Sequence, residues 1–219
     1  MSKTQTQRAK IVLRELKKLY PNPTMALTYT HPWELLFAVI MSAQTTDLQV
    51  NKVTQKLFKK YPTLASYLHA DPKQFEQDIA QIGLFRSKAK NILQTARILH
   101  ETYKGKLPKT IVELMMLPGA GRKTANVVLG AAYGLAEGIA VDTHVTRLAQ
   151  KFGLTKHKDP KKIEENLMKI IPKKEWPLFT LRMIQYGRDH SPARYKKNDD
   201  IISIALKIKK SPASPPQFR

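Results

Sequence analysis

Apolar residues recur along this chain at helical spacing. Ile11, Leu13, Leu16 and Leu19 mark a first helix that Pro21 and Pro23 terminate. Pro32 stands where a first-turn proline belongs, and the apolar stretch from Trp33 to Met41 predicts a buried helix. Val50, Val53, Leu57 and Phe58 give a helix over 47–61, stopped by Pro62. Helices over 63–70 and 72–82 follow. Gly83 then punctuates, and Ala89, Ile92, Leu93, Ala96 and Leu99 share one face of a helix over 87–103. After a loop at 105–108 come a short helix at 111–117, the turn from Pro118 to Gly121, and a helix over 122–133. Further helices are expected over 142–152, 160–171 and 176–189. Ile201, Ile202, Ile204 and Leu206 fit one more amphipathic turn or two. No stretch alternates as a strand would and no repeat is visible, so the expected fold is all-α.

Composition narrows the partners. Lys and Arg number 38 against 17 Asp and Glu, a formal net charge of +21. An excess of that size favours an anionic partner, nucleic acid being the commonest, although a basic surface also serves solubility alone. Hydrophobic residues make up 42%, enough for a core. There is no cysteine, which removes disulfides, thiolate metal sites and a cysteine nucleophile. The opening residues MSKTQTQRAK lack the apolar core of a signal peptide, and the run from Leu35 to Met41 is too short to span a bilayer. The expectation is an intracellular protein without a membrane partner. The segment 208–219, basic and proline-rich, is expected to be disordered.

One stretch carries chemistry. Leu117 to Ala125 reads LPGAGRKTA, with Gly119 and Gly121 between two short helices. Such a turn aims backbone N–H groups outward at a helix N-terminus, where a phosphate oxygen fits; an ordinary helix–helix turn has the same pattern. Arg122 and Lys123 follow at once, and Val141-Asp142-Thr143-His144 lies further on. A lysine at a helix start feels the positive end of the dipole, and burial would favour the neutral amine further. A neutral amine attacks carbon and forms a Schiff base. Asp142 can activate that amine or stabilise a cationic sugar, and it can equally be a helix N-cap. Lys123 can also be one surface lysine among many.

The passages LPGAGRKTANVVLGAAYG and IAVDTHVTRLAQKFGL resemble the helix–hairpin–helix and Gly/Pro-Asp region of endonuclease III DNA glycosylases. The passages from His31 to Phe58 and from Ile82 to Ile92 resemble the same family in the same order. The resemblance implies two helical subdomains with a cleft between them. A barrel at 25–135 contains the hairpin, and 1–24 with 136–207 forms the second part. It implies Lys123 as Schiff-base nucleophile and Asp142 as the essential carboxylate. Gln44 and Leu84 would fill the gap left by a flipped base; without the resemblance they read as a helix-end polar residue and a core leucine. Gly119, Gly121, Arg122, His144 and Arg147 would meet DNA, with Arg188 a further basic residue nearby, although solvated positions explain such residues as well. Asp47 falls near the family's pocket or caps the helix after it.

The resemblance thus implies a monomeric bifunctional glycosylase and abasic-site lyase for oxidised pyrimidines in double-stranded DNA. The alternatives are a glycosylase with another base preference and a non-catalytic helix–hairpin–helix DNA-binding protein. The family's cluster cysteines fall here on Ser191, Asn198, Ile201 and Lys207, so an iron–sulfur cluster is expected to be absent and no cofactor is expected. A basic loop from Arg194 to Lys197 remains.

Overall fold

The computed structural model describes residues 4–194 and 199–207. The expected tail at 208–219, Asn198 and the loop residues 195–197 lie outside them. Among the described residues all regular structure is helical. The helices are α1 (Gln5–Leu19), α2 (Pro32–Ser42), α3 (Asp47–Lys60), α4 (Leu64–Leu68), α5 (Pro72–Asp78), α6 (Phe85–Glu101), α7 (Ile111–Met115), α8 (Arg122–Tyr133), α9 (Thr143–Lys151), α10 (Pro160–Ile170), α11 (Trp176–Asp189) and α12 (Ile201–Lys207).

Side-chain caps start most of them. Thr4 and Gln7 form a reciprocal capping box on α1. Thr46, Asp71, Thr110, Asp142 and Asp159 cap α3, α5, α7, α9 and α10. Thr46, not Asp47, is therefore the cap of α3. The sequence reading placed the start of α6 at Ser87, but the helix begins at Phe85. Its N-cap is Leu84, which has left-handed backbone and no capping side chain, so the local start signal is missing. The helix expected over 72–82 ends at Asp78, where Ile79 breaks from helical geometry.

The chain divides into two compact units. The first comprises residues 24–140 with 176–178. Its centre is α2, whose residues Leu35, Leu36, Phe37, Ala38 and Met41 are fully buried. Helices α3, α6 and α8 pack on α2, while α4 and α5 lie against α6. Trp33, Phe37, Tyr61, Tyr67 and Phe75 form an edge-on aromatic cluster with centroids 5.1–5.8 Å apart. Gly130 on α8 lets Pro177 approach, since a Cβ there would sit 3.1 Å from the proline Cβ.

The second unit takes residues 4–23, 141–175 and 179 onward. Chain ends meet in it: α1 packs against α10 and α12. Ala9, Val12 and Leu16 share this core with Val145, Leu148, Phe152, Ile163, Leu167, Phe179, Met183, Ile202 and Leu206. The buried Arg182 guanidinium donates to the Tyr20 carbonyl at 3.0 Å and the Pro21 carbonyl at 3.2 Å, and pairs with Glu175 at 3.0 Å. It thereby satisfies carbonyls at the end of α1 that the helix itself leaves open.

Candidate nucleic-acid interface and reaction site

The first unit carries the hairpin. α7 ends at Met115, and the chain turns through Leu117-Pro118-Gly119-Ala120 into α8. Ala120 N–H donates to the Leu117 carbonyl at 3.0 Å, closing the turn, and Thr95 on α6 donates its hydroxyl to the Pro118 carbonyl at 2.9 Å. Gly119 has φ +81°, and a Cβ on it would lie 3.2 Å from the Asn91 side chain and 3.3 Å from Ile40. Both conformation and space demand glycine there. Gly121 differs: it is the N-cap of α8, with extended backbone and nothing within 4 Å of a would-be Cβ. No side chain at the N-cap bonds the first N–H groups of α8, which stand at the positive end of the helix dipole.

Lys123 stands at the second position of α8 and is exposed, with Arg122 half-buried beside it. Burial therefore does not act on Lys123; the helix start is its distinguishing environment.

Gln44 and Leu84 lie on two loops of the same unit. Both have left-handed backbone, φ +56° and +58°, and Lys104 is the only other described non-glycine residue that does. A leucine held so costs roughly 1–2 kcal/mol, so its surroundings must impose it. Both side chains are exposed, Leu84 by 61%, which overturns the core-leucine alternative. The loops are tied together. Gly83 N–H donates to Thr45 Oγ1 at 3.1 Å, and Gln49 donates to Gln81 at 2.8 Å. A Cβ on Gly83 would lie 3.1 Å from the Gln44 carbonyl oxygen. A separate cleft of about 420 Å³ in this unit is lined by Thr28, Tyr29, Glu34, Asn51 and Phe58 among others, and by none of the residues named above.

The second unit holds Asp142, His144 and Arg147. Asp142 is the N-cap of α9, its Oδ1 accepting the Val145 N–H at 2.8 Å. His144 and Arg147 press on Gly187 of α11, where a Cβ would lie 2.5 Å from His144 Nδ1 and 3.3 Å from the arginine. Burial chiefly pushes the His144 imidazole below its ordinary pKa; Asp142 opposes this, and Arg147 and Arg188 add to it. Arg147 donates to the Ser191 carbonyl at 2.6 Å, so part of its guanidinium serves the structure rather than standing free.

Ser191 is fully buried, and its hydroxyl accepts from Lys151 at 3.0 Å. Lys151 also pairs at 2.7 Å with Asp200, which is almost wholly buried. The Asp200 carboxylate accepts from the Tyr186 hydroxyl, from Ser203 N–H at 3.1 Å and from Ser203 Oγ at 2.8 Å, while Ile202 N–H donates to the Tyr186 oxygen at 3.0 Å. Burial raises the Asp200 pKa, but these bonds outweigh it and the net shift is downward. Ser191, Ile201 and Lys207 are not the thiolates a [4Fe–4S] cluster needs, and Ser191 is already bonded inside this network. Among the described residues no group of His, Cys, Asp and Glu is placed to hold a metal ion, and no helix is long and apolar enough to cross a membrane.

The sequence reading missed Lys88, Gly187 and Asp200, and it saw Gly83 only as a break between helices. Lys88 left one signal: it falls on the apolar face of α6, four residues before Ile92. Asp200 left none.

A glycine hairpin that leads, without a side-chain cap, into a helix whose second residue is a lysine defines a class. The profile of the HhH-GPD superfamily of base excision DNA repair proteins matches residues 37–173, and the chain belongs to that superfamily. Its relatives put it in the endonuclease III family. Endonuclease III of Synechocystis sp. is 48% identical over 188 residues, 86% of each chain. That of Bacillus subtilis is 42% identical over 183 residues, 83% of each. A solved non-covalent endonuclease III–DNA complex is 44% identical with a TM-score of 0.86, covering 92% of this chain and 94% of the other. A trapped endonuclease III–DNA covalent intermediate is 45% identical with a TM-score of 0.83, covering 88% and 91%.

Proposed function

We propose that this protein is a bifunctional DNA glycosylase and abasic-site lyase of base excision repair, acting on oxidised pyrimidines in duplex DNA. The observation that carries the reading is Lys123 on the first turn of α8, directly after a glycine hairpin whose Gly121 N-cap puts no side chain over the helix start. Covalent capture of a relative on DNA at 45% identity supports the same chemistry.

A damaged base must leave the stack before it is cut away. Gln44 and Leu84, exposed on rigid left-handed loops, enter the duplex as it leaves, and the Gln44 amide both donates and accepts toward the orphaned base. The Lys123 amine attacks the sugar C1′ through its lone pair. The N-glycosidic bond breaks and the base departs with the electron pair and a proton. Asp142 stabilises the positive charge that grows on the sugar. Ring opening gives an imine that acidifies the C2′ proton. Loss of that proton expels the 3′ phosphate, and water then releases Lys123. Gly119, Gly121 and Arg122 hold a backbone phosphate; His144 and Arg147 flank Asp142.

The enzyme works as an intracellular monomer without an iron–sulfur cluster. The network of Ser191, Lys151, Tyr186, Asp200 and Ser203 supports the reading without a cluster, because it holds α12 by hydrogen bonds and one ion pair. The test is cleavage of a duplex carrying thymine glycol, with borohydride trapping in parallel. Wild type nicks and becomes linked to DNA, and Lys123→Ala does neither. Binding without cutting or trapping by wild type would sink the lyase reading.

A further inference from the structure

Lys88 is a buried lysine that the chemistry above does not use. It lies on the first turn of α6, its own N–H bonded to the Leu84 carbonyl at 3.1 Å, and only 4% of its surface is exposed. Its ammonium donates to the Met41 carbonyl at 2.8 Å and to the Ala43 carbonyl. Those are open carbonyls at the C-terminus of α2, the negative end of a helix with no basic residue in its last turn. Gln44 follows Ala43 immediately. One side chain therefore spans from one turn beyond Leu84 to the residue before Gln44.

Burying an ammonium is costly, and burial indeed lowers the Lys88 pKa. A methionine would fill the space without that cost. What the charge adds is direction: it fixes two carbonyls and so the path of the chain into Gln44. We propose that Lys88 is a positioning residue, whose bonds to Met41 and Ala43 set the spacing between Gln44 and Leu84 that the enzyme needs to hold a duplex open. The proposal rests on the reading that these two residues enter the duplex.

The prediction separates two substrates of the full-length enzyme. In duplex DNA the gap must be filled; in a single-stranded abasic oligonucleotide there is no partner base and no gap, yet Lys123 still forms its Schiff base. Lys88→Met should lower kcat/KM on thymine glycol in duplex by about a hundredfold, the scale of a misplacement near 1 Å. Trapping on the single-stranded abasic oligonucleotide should stay within about twofold of wild type. A second variant guards against a mere folding defect. The chain has no cysteine, so in Lys88→Cys only the new thiol is alkylated by bromoethylamine in the unfolded protein. The aminoethyl product restores an ammonium of nearly lysine length and, after refolding, should recover duplex activity.

Duplex activity of Lys88→Met within about twofold of wild type would overturn the proposal. So would parallel losses on both substrates, or no recovery on aminoethylation. Failure of wild type itself to cut or trap would show first, before any variant is compared, and would remove the underlying reading and the proposal together.

Discussion

The Asp142 carboxylate accepts the backbone N–H of Val145 at 2.8 Å, so the residue assigned to chemistry is also the cap of α9. The two roles separate by substitution. Asparagine caps a helix about as well as aspartate but carries no charge; alanine does neither. Asp142→Asn should therefore keep its stability within about 0.5 kcal/mol, while Asp142→Ala loses about 1 kcal/mol. Both should lose thymine glycol excision. Urea titration beside a nicking assay reads both effects. An Asp142→Asn enzyme that still excises at the wild-type rate would leave Asp142 a cap and nothing more.

Gly119 and Gly121 look alike in sequence and are not alike in structure. Gly119→Ala forces a Cβ onto a φ of +81° and against Asn91, and should cost about 1–2 kcal/mol of stability as well as DNA affinity. Gly121→Ala meets no atom within 4 Å, and its stability should change by less than about 0.5 kcal/mol. Thermal unfolding of the pair gives the answer, and equal losses in both would contradict the geometry.

How much of this was readable beforehand follows from what leaves a local mark. Prolines, caps and apolar periodicity announced the helices, including α2 with its Pro32 start and the hairpin between α7 and α8. The start of α6 was misplaced because Leu84 caps it by backbone conformation alone, which no residue type advertises. The hairpin was legible because glycine and proline mark such a turn in the sequence itself. The ties that set Gln44 and Leu84 were not. They join residues far apart in sequence, such as Thr45 with Gly83 and Lys88 with Met41. Asp200 was invisible for the same reason, since its partner Lys151 lies on another helix.

Asp200 offers a prediction with a pH signature. Asp200→Asn removes one partner of a buried ion pair and should destabilise the protein by about 3 kcal/mol at neutral pH. The Asp200 pKa is lowered on folding. Its contribution is therefore complete above the ordinary aspartate value, about 3.9, and is lost as pH falls through the lower folded-state value. The gap between wild type and variant should thus hold from neutrality to about pH 5 and close only in acid. Denaturant midpoints across that range test it; a gap that closed near pH 6 would implicate another group.

With a net charge of +21, binding to duplex DNA should weaken steeply with salt. Each phosphate contact adds about 0.9 to the slope of log K against log salt. Arg122→Ala should flatten that slope by about one unit if Arg122 meets a phosphate. Fluorescence anisotropy at several salt concentrations measures it, and an unchanged slope removes Arg122 from the contact.

The second unit is closed by partners from opposite ends of the chain. Arg8 donates to the Phe152 carbonyl, Tyr20 to Asp189, and Arg182 to the carbonyl of Tyr20. Residues 24–140, by contrast, are one continuous run. As the protein is synthesised, that run can compact while the ribosome is still working. α1 emerges before that run and must wait for α12. α10 covers part of the apolar face of Ala9, Val12 and Leu16, and the rest waits until α12, with Ile202 and Leu206, has been added. A helix made before that run is covered in full only after it, and a nascent chain stalled short of α12 would present part of that face to chaperones.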